Sequence, residues 1–377
     1  MITDRPVRAL SVAFVALTLA LTACSKESDR DGSVHGGAAS SAVPEPALEG
    51  AAWLTGQLRD GVLVNRQYRT EDYSTTVEVA YALRAVDPDS EALPEIASAL
   101  AAGVDAYASP GEDVYAGALA KLASFAADQG DDPRDFGGHD LIAELEERTA
   151  DDGTLAGRIS DQSEFGDYAN SFGQAWAVRA LTLAESSEAE RARDFLLAQQ
   201  CSEGFFRLYL AAPDAADQTC DGAGAEAEPV DTTALAYVLL HDLAAHDAEL
   251  ATALDSGIAY ILSQQAPDGS FSGGSEGAIV PNANSTGLAG WALHLAGEDA
   301  AAADAARWVR AHQLGSCEGA LAEDAGAIAF DEAALEAGAS GLTKKSEYQW
   351  RLATAQALPS LLAVPEDAAE APCPHAS

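Results

Sequence analysis

The stretch Phe195-Leu196-Leu197-Ala198-Gln199-Gln200-Cys201-Ser202-Glu203-Gly204-Phe205-Phe206 returns as Tyr260-Ile261-Leu262-Ser263-Gln264-Gln265-Ala266-Pro267-Asp268-Gly269-Ser270-Phe271. Both read as aromatic, aliphatic, three residues, Gln, three residues, Gly, one residue, aromatic. A unit that recurs in this way specifies a stack of similar helical hairpins. Weaker copies follow the same spacing. Trp308-Val309 leads to Gln313 and, after a two-residue expansion, to Gly319. Gln57 leads to Gly61 and Leu63, and Thr149 to Gly153 and Leu155, while around Asp105-Ala106-Tyr107 the unit shrinks to a short helix and turn. Each copy closes on a Gly able to take the left-handed conformation of a helix end.

A second helical pattern follows each copy. It begins at Tyr73-Ser74-Thr75-Thr76, Gly111-Glu112-Asp113, Ala169-Asn170-Ser171, Val230-Asp231-Thr232-Thr233, Ala283-Asn284-Ser285-Thr286 and Ser346-Glu347-Tyr348-Gln349. Most starts place a short polar side chain where an N-cap must accept an orphan N–H. Small and apolar residues then alternate, as in Gly287-Leu288-Ala289-Gly290, so these helices are expected to be buried nearly all round. The pattern predicts an all-α fold: six outer–inner hairpins closed into an (α/α)6 toroid, with an open helical superhelix as the competing arrangement.

The ends and the charge set the context. Arg5 and Arg8 precede an apolar run from Ala9 to Leu21, too short to span a bilayer and suited to a signal peptide. Leu21-Thr22-Ala23-Cys24 resembles a bacterial lipobox. Residues 1–23 are therefore read as a lipoprotein signal peptide, Cys24 as the lipidated residue, 24–45 as a flexible tether and 46–377 as the toroid. The expected location is the extracytoplasmic face of the cell membrane. A net charge of −39, from 60 acidic and 21 basic residues, argues against nucleic-acid partners. After Cys24, Cys201, Cys220, Cys317 and Cys373 remain, an even number in an exported chain. Cys201–Cys220 across a Gly/Asp/Ala-rich loop and Cys317–Cys373 at the tail form the favoured pairing of three possible ones. No C-x-x-C or Cys/His cluster calls for a metal, and no motif calls for a cofactor.

The two strong repeat units resemble the QW repeat of the terpenoid cyclase and prenyltransferase superfamily, with Phe in place of the usual Trp. The resemblance runs from about Pro46 to Ala363. It implies the toroid and suggests a comparison with the DxDDTA motif of class II cyclases, whose middle Asp protonates an alkene or epoxide. Laid over Pro229-Val230-Asp231-Thr232-Thr233-Ala234, only the middle Asp persists, as Asp231. An alkene is a very weak base, and without its partner groups Asp231 reads as an N-cap. The zinc ligands of protein prenyltransferases are not matched. The Pro229–Ala234 segment also resembles an inner-helix start of cobalamin carriers with the same shape.

Function is expected at the mouth where the inner-helix N-termini converge. Their dipoles and free N–H groups suit an anionic or polar ligand. Tyr73, Tyr168, Asn170, Asp231, Asn284 and Tyr348 are the expected border residues, three of them equally explained as helix caps. The reading is a membrane-anchored lipoprotein without catalysis, holding a small hydrophobic or lipid-like molecule, a corrinoid or an envelope protein. The alternative is a cyclase-like isomerase with Asp231 as general acid.

Overall fold

The computed structural model describes residues 42–221, 230–274 and 279–374. The signal peptide, Cys24 and nearly all of the tether lie outside the described residues. In chain order the helices are α1 (Glu45–Gln57), α2 (Tyr73–Val86), α3 (Ala92–Ala102), α4 (Val104–Tyr107), α5 (Ala116–Gln129), α6 (Leu141–Arg148), α7 (Ser171–Leu183), α8 (Ala189–Leu197), α9 (Val230–Leu240), α10 (Ala248–Gln264), α11 (Ala283–Leu295), α12 (Asp299–Ala311), α13 (Glu332–Gly338) and α14 (Glu347–Ala357). Two short antiparallel hairpins sit in the loops: β1 (Val64–Asn65) with β2 (Thr70–Glu71), and β3 (Ser272–Gly273) with β4 (Val280–Pro281).

Helices α2, α5, α7, α9, α11 and α14 pack in series, and α14 returns to α2. Helices α1, α3, α6, α8, α10 and α12 cover them, each against its sequence neighbours. The covering helices bury one face, while α9 and α11 bury nearly every position. The fold is an α/α toroid. The start expected at Gly111 falls later, at Ala116, because Asp161 Oδ1 accepts the Ala116 N–H (2.8 Å) and takes the capping role.

The repeated residues explain the closure. Gln200 Nε2 donates to Gly204 O (2.7 Å) in its own turn and to Ala253 O (2.7 Å) in α10. Gln265 donates to Gly269 O (3.2 Å) and to Ala301 O (2.9 Å) in α12. Gln313 donates to Gly326 O (3.1 Å) and to Pro46 O (2.9 Å) in α1, joining the last covering helix to the first. Gly204, Gly269 and Gly326 have φ of +100°, +89° and +91°. A Cβ on them would meet the carbonyl oxygens of Ser256, Asp304 and Glu49 at 2.6, 2.3 and 2.3 Å. Two residues on, the N–H groups of Phe206, Phe271 and Ile328 donate to the hydroxyls of Thr233, Thr286 and Thr354 (2.8–3.0 Å) in the following inner helix.

This geometry corrects two assignments. Gly319 and Gly153 do take positive φ, but a side chain on either would meet nothing. The glycines that fit against the next helix in those units are Gly326 and Gly157, the latter against Arg191 O of α8. The seam carries further links. Glu347 pairs with Arg66 and with Arg351 (2.7 Å), and Arg351 also donates to Val64 O (2.8 Å) and to Gln57 Oε1. Cys201–Cys220 and Cys317–Cys373 are bonded, and Gly315 N–H donates to Pro372 O (3.1 Å), holding the tail on the last unit.

Gly326→Ala should lower unfolding free energy by about 3 kcal/mol or more, since it adds a backbone clash to the cost of φ > 0. Gly319→Ala, carrying the φ cost alone, should lose about 1–2 kcal/mol. Urea denaturation of the pair checks this, and equal losses would contradict the assignment.

Candidate functional site

The first two turns of the inner helices enclose a cavity of about 450 Å³. Its wall repeats a simple register. Ser74 and Glu78 come from α2, Gly117 and Lys121 from α5, Phe172 and Trp176 from α7, Asp231 and Leu235 from α9, Asn284 and Leu288 from α11. These are the second and sixth residues of each helix, four apart and therefore on one face. In α14 the sixth residue, Leu352, takes part with Gln356 one turn deeper, while Tyr348 holds the second position. Tyr107, Tyr115, Asp161, Tyr168 and Asn170 form the rim. Farther along the inner helices, Phe125, Ala180 and Ala292 are fully buried.

The wall is mixed in character. Lys121 pairs with Glu78, donates to Ser74 Oγ (3.4 Å) and lies 5.7 Å from the centre of the Trp176 ring. Burial works against the Lys121 charge, but Glu78, Tyr107 and Asp72 together outweigh it and its pKa rises above the usual lysine value. Asp161 accepts N–H groups from Ala116 (2.8 Å) and Tyr168 (3.0 Å); burial nevertheless raises its pKa. Asn284 Nδ2 donates to Gln356 Oε1 (2.6 Å). The Oδ1 atoms of Asp231 and Asn284 are shielded from solvent and accept no hydrogen bond among the described residues. Asp231 keeps part of its side chain open to the cavity, yet burial raises its pKa, opposed by the Ser285 hydroxyl without a well-formed bond between them.

The six expected border residues separate into distinct roles. Asn170 caps α7, its Oδ1 accepting Gly173 N–H (3.1 Å), and it also lines the cavity rim. Asn284 is not a cap, and the residue that precedes α9 lies outside the described residues. Asn282 caps α11 by accepting Ser285 N–H (2.9 Å), which places Asn284 second in the helix and in the cavity wall. Asp231 likewise sits second in α9, and Thr233 makes the anchoring bond. Tyr168 is an exposed rim residue. Tyr73 faces a separate surface depression; its hydroxyl donates to Glu71 (2.6 Å), and burial together with that carboxylate pushes its pKa to about 12. Tyr348 is partly exposed at the mouth, its pKa raised by burial and by Asp72. The loop cations Arg66 and Arg158 pair with Glu347 and Asp167. Glu78, Lys121 and Gln356 escape a reading based on caps, although Glu78 and Lys121 lie four residues, and Gln356 eight, beyond the second position of their helices.

The chain matches no family model and no curated protein sequence. Solved structures do resemble it. The alpha-1,6-mannanase GH76A of Salegentibacter sp., as an inactive variant in complex with alpha-1,6-mannotriose, aligns with TM-score 0.58 and 12% identity over 84% of this chain and 98% of that one. The type II terpene cyclase MstE from Scytonema aligns with TM-score 0.55 and 17% identity over 84% and 96%. A protein from Actinoplanes gives 0.57 and 16% over 84% and 98%. At such identities the likeness establishes the α/α toroid and carries no chemistry across.

The raised pKa of Asp231 has a stability consequence. A carboxyl whose folded pKa exceeds its unfolded value of about 3.9 favours the folded state below that value. That contribution is lost as pH rises through the folded pKa, so the ionised group lowers stability at neutral pH. Asp231→Asn should therefore raise the melting temperature at pH 7 by more than at pH 4. A lower melting temperature at pH 7 would show that Asp231 supports its helix as a cap.

Proposed function

We propose that the chain is an extracytoplasmic lipoprotein, anchored through Cys24, that holds a small or lipid-like molecule in the luminal cavity without converting it. One observation carries this reading: all six inner helices converge on a cavity whose wall leaves the Asp231 and Asn284 oxygens without partners. Buried polar atoms are normally satisfied, and an unmade bond costs about 1–3 kcal/mol. Both Oδ1 atoms are shielded, so a ligand's donor group reaches them only when the two side chains turn toward the cavity. A volume of about 450 Å³ falls within the usual range of small-molecule sites. It suits a ligand smaller than a corrinoid. Leu235, Leu288, Leu352, Phe172 and Trp176 supply apolar wall for the body of such a ligand.

A second reading is favoured by Asp231 itself. A carboxyl with a raised pKa in a cavity wall is placed as a general acid should be, as in the cyclase-like alternative. Two features weigh against it. Pro229 and Thr232 stand where the partner acids of that motif would be, and the Glu78–Lys121 pair makes the wall too polar to shelter a free carbocation.

Native mass spectrometry of the protein purified from its own membranes should show a small-molecule adduct. Leu288→Trp, which fills the lumen, should abolish it, and Cys24→Ala should move the protein to the soluble fraction. Identical spectra for wild type and Leu288→Trp would remove the luminal reading. Conversion of a polyprenyl substrate that Asp231→Asn abolishes would establish the second.

A further inference from the structure

We infer that the luminal site takes an organic cation, an amine or quaternary ammonium on an apolar body. This deepens the luminal reading and rests on it. Convergent helix N-termini by themselves favour an anion. The side chains in the cavity reverse that preference. Glu78, Asp161 and Asp231 contribute three carboxyl groups, and Lys121 is the one cationic group among the lining residues. Lys121 is already committed to Glu78, so an anion entering the lumen finds no unpaired positive side chain there. A cation finds Asp231, a wall carboxyl that no basic side chain neutralises among the described residues.

The aromatic wall adds a second, independent argument. An ammonium is attracted to the face of an aromatic ring within about 6 Å. The protein shows that its own wall makes this contact, because the Lys121 ammonium lies 5.7 Å from the Trp176 centroid. Phe172 and the rim tyrosines Tyr115 and Tyr168 offer further ring surface around the same opening. The net charge of −39 raises the local concentration of cations near such a mouth. Hydrogen-bond acceptors, rings and field all select the same ligand class.

Three probes with the same chain separate the possibilities: n-decylammonium, n-decyl sulfate and 1-decanol, each below any micellar concentration. Titration calorimetry on the folded protein at constant salt should show the ammonium binding at least about tenfold more tightly than the sulfate or the alcohol. Asp231→Asn should weaken ammonium binding by about tenfold while leaving 1-decanol unchanged. Lys121→Met frees Glu78 and the Trp176 face, and should strengthen ammonium binding. Equal or tighter binding of the sulfate or the alcohol overturns the cation assignment and leaves the luminal reading intact. Failure of all three probes to bind, with Leu288→Trp indistinguishable from wild type, overturns both.

Discussion

The structure depends on one recurring contact: in three successive turns a Gln and a Gly meet backbone carbonyls of the next covering helix. Gln200 and Gln265 each bridge their own turn and the following helix, and Gln313 makes the same bridge to α1. Gly204, Gly269 and Gly326 allow the approach because a Cβ would sit inside the contact distance of the facing carbonyl. Applied once, this contact links two hairpins. Applied from the last unit to the first, it turns a stack into a ring, and the Glu347–Arg351–Gln57 links reinforce that seam. Closure removes the exposed ends that an open array must cap.

The same geometry sets the chemistry of the lumen. The fourth residue of an inner helix, Thr233 or Thr286, is engaged with the preceding turn. The second and sixth residues lie on a different face and owe nothing to the outer ring. They are free to carry function, and there the chain places Asp231, Asn284, Glu78, Lys121 and Trp176. Leaving acceptor oxygens without donors at such positions costs stability.

Much of this was legible in the residues. The paired repeats specify hairpins, the starts of α2, α7, α9 and α11 fall within one or two residues of expectation, and both disulfides join the favoured cysteine pairs. Two kinds of detail were not. Spacing nominated Gly319 and Gly153, yet the working glycines are Gly326 and Gly157, because an enlarged turn can hold several glycines and only one touches the next helix. Asp231 and Asn284 were read as caps because a cap and a second helical residue look alike in sequence. Asn284 stands two residues beyond the cap Asn282, enough to turn its side chain from the helix end into the lumen wall. The convergent helix dipoles suggest an anionic or polar ligand, and three carboxyl groups line the same cavity.

A thiol-reactivity scan along α11 tests the register of the lumen most directly. Asn284→Cys and Leu288→Cys should react with a small methanethiosulfonate reagent, and Ser285→Cys and Ala289→Cys, at fully buried positions, should resist it in the folded protein. Equal protection at all four positions, or labelling at 285 and 289 in preference to 284 and 288, would contradict a luminal site built on the second and sixth residues.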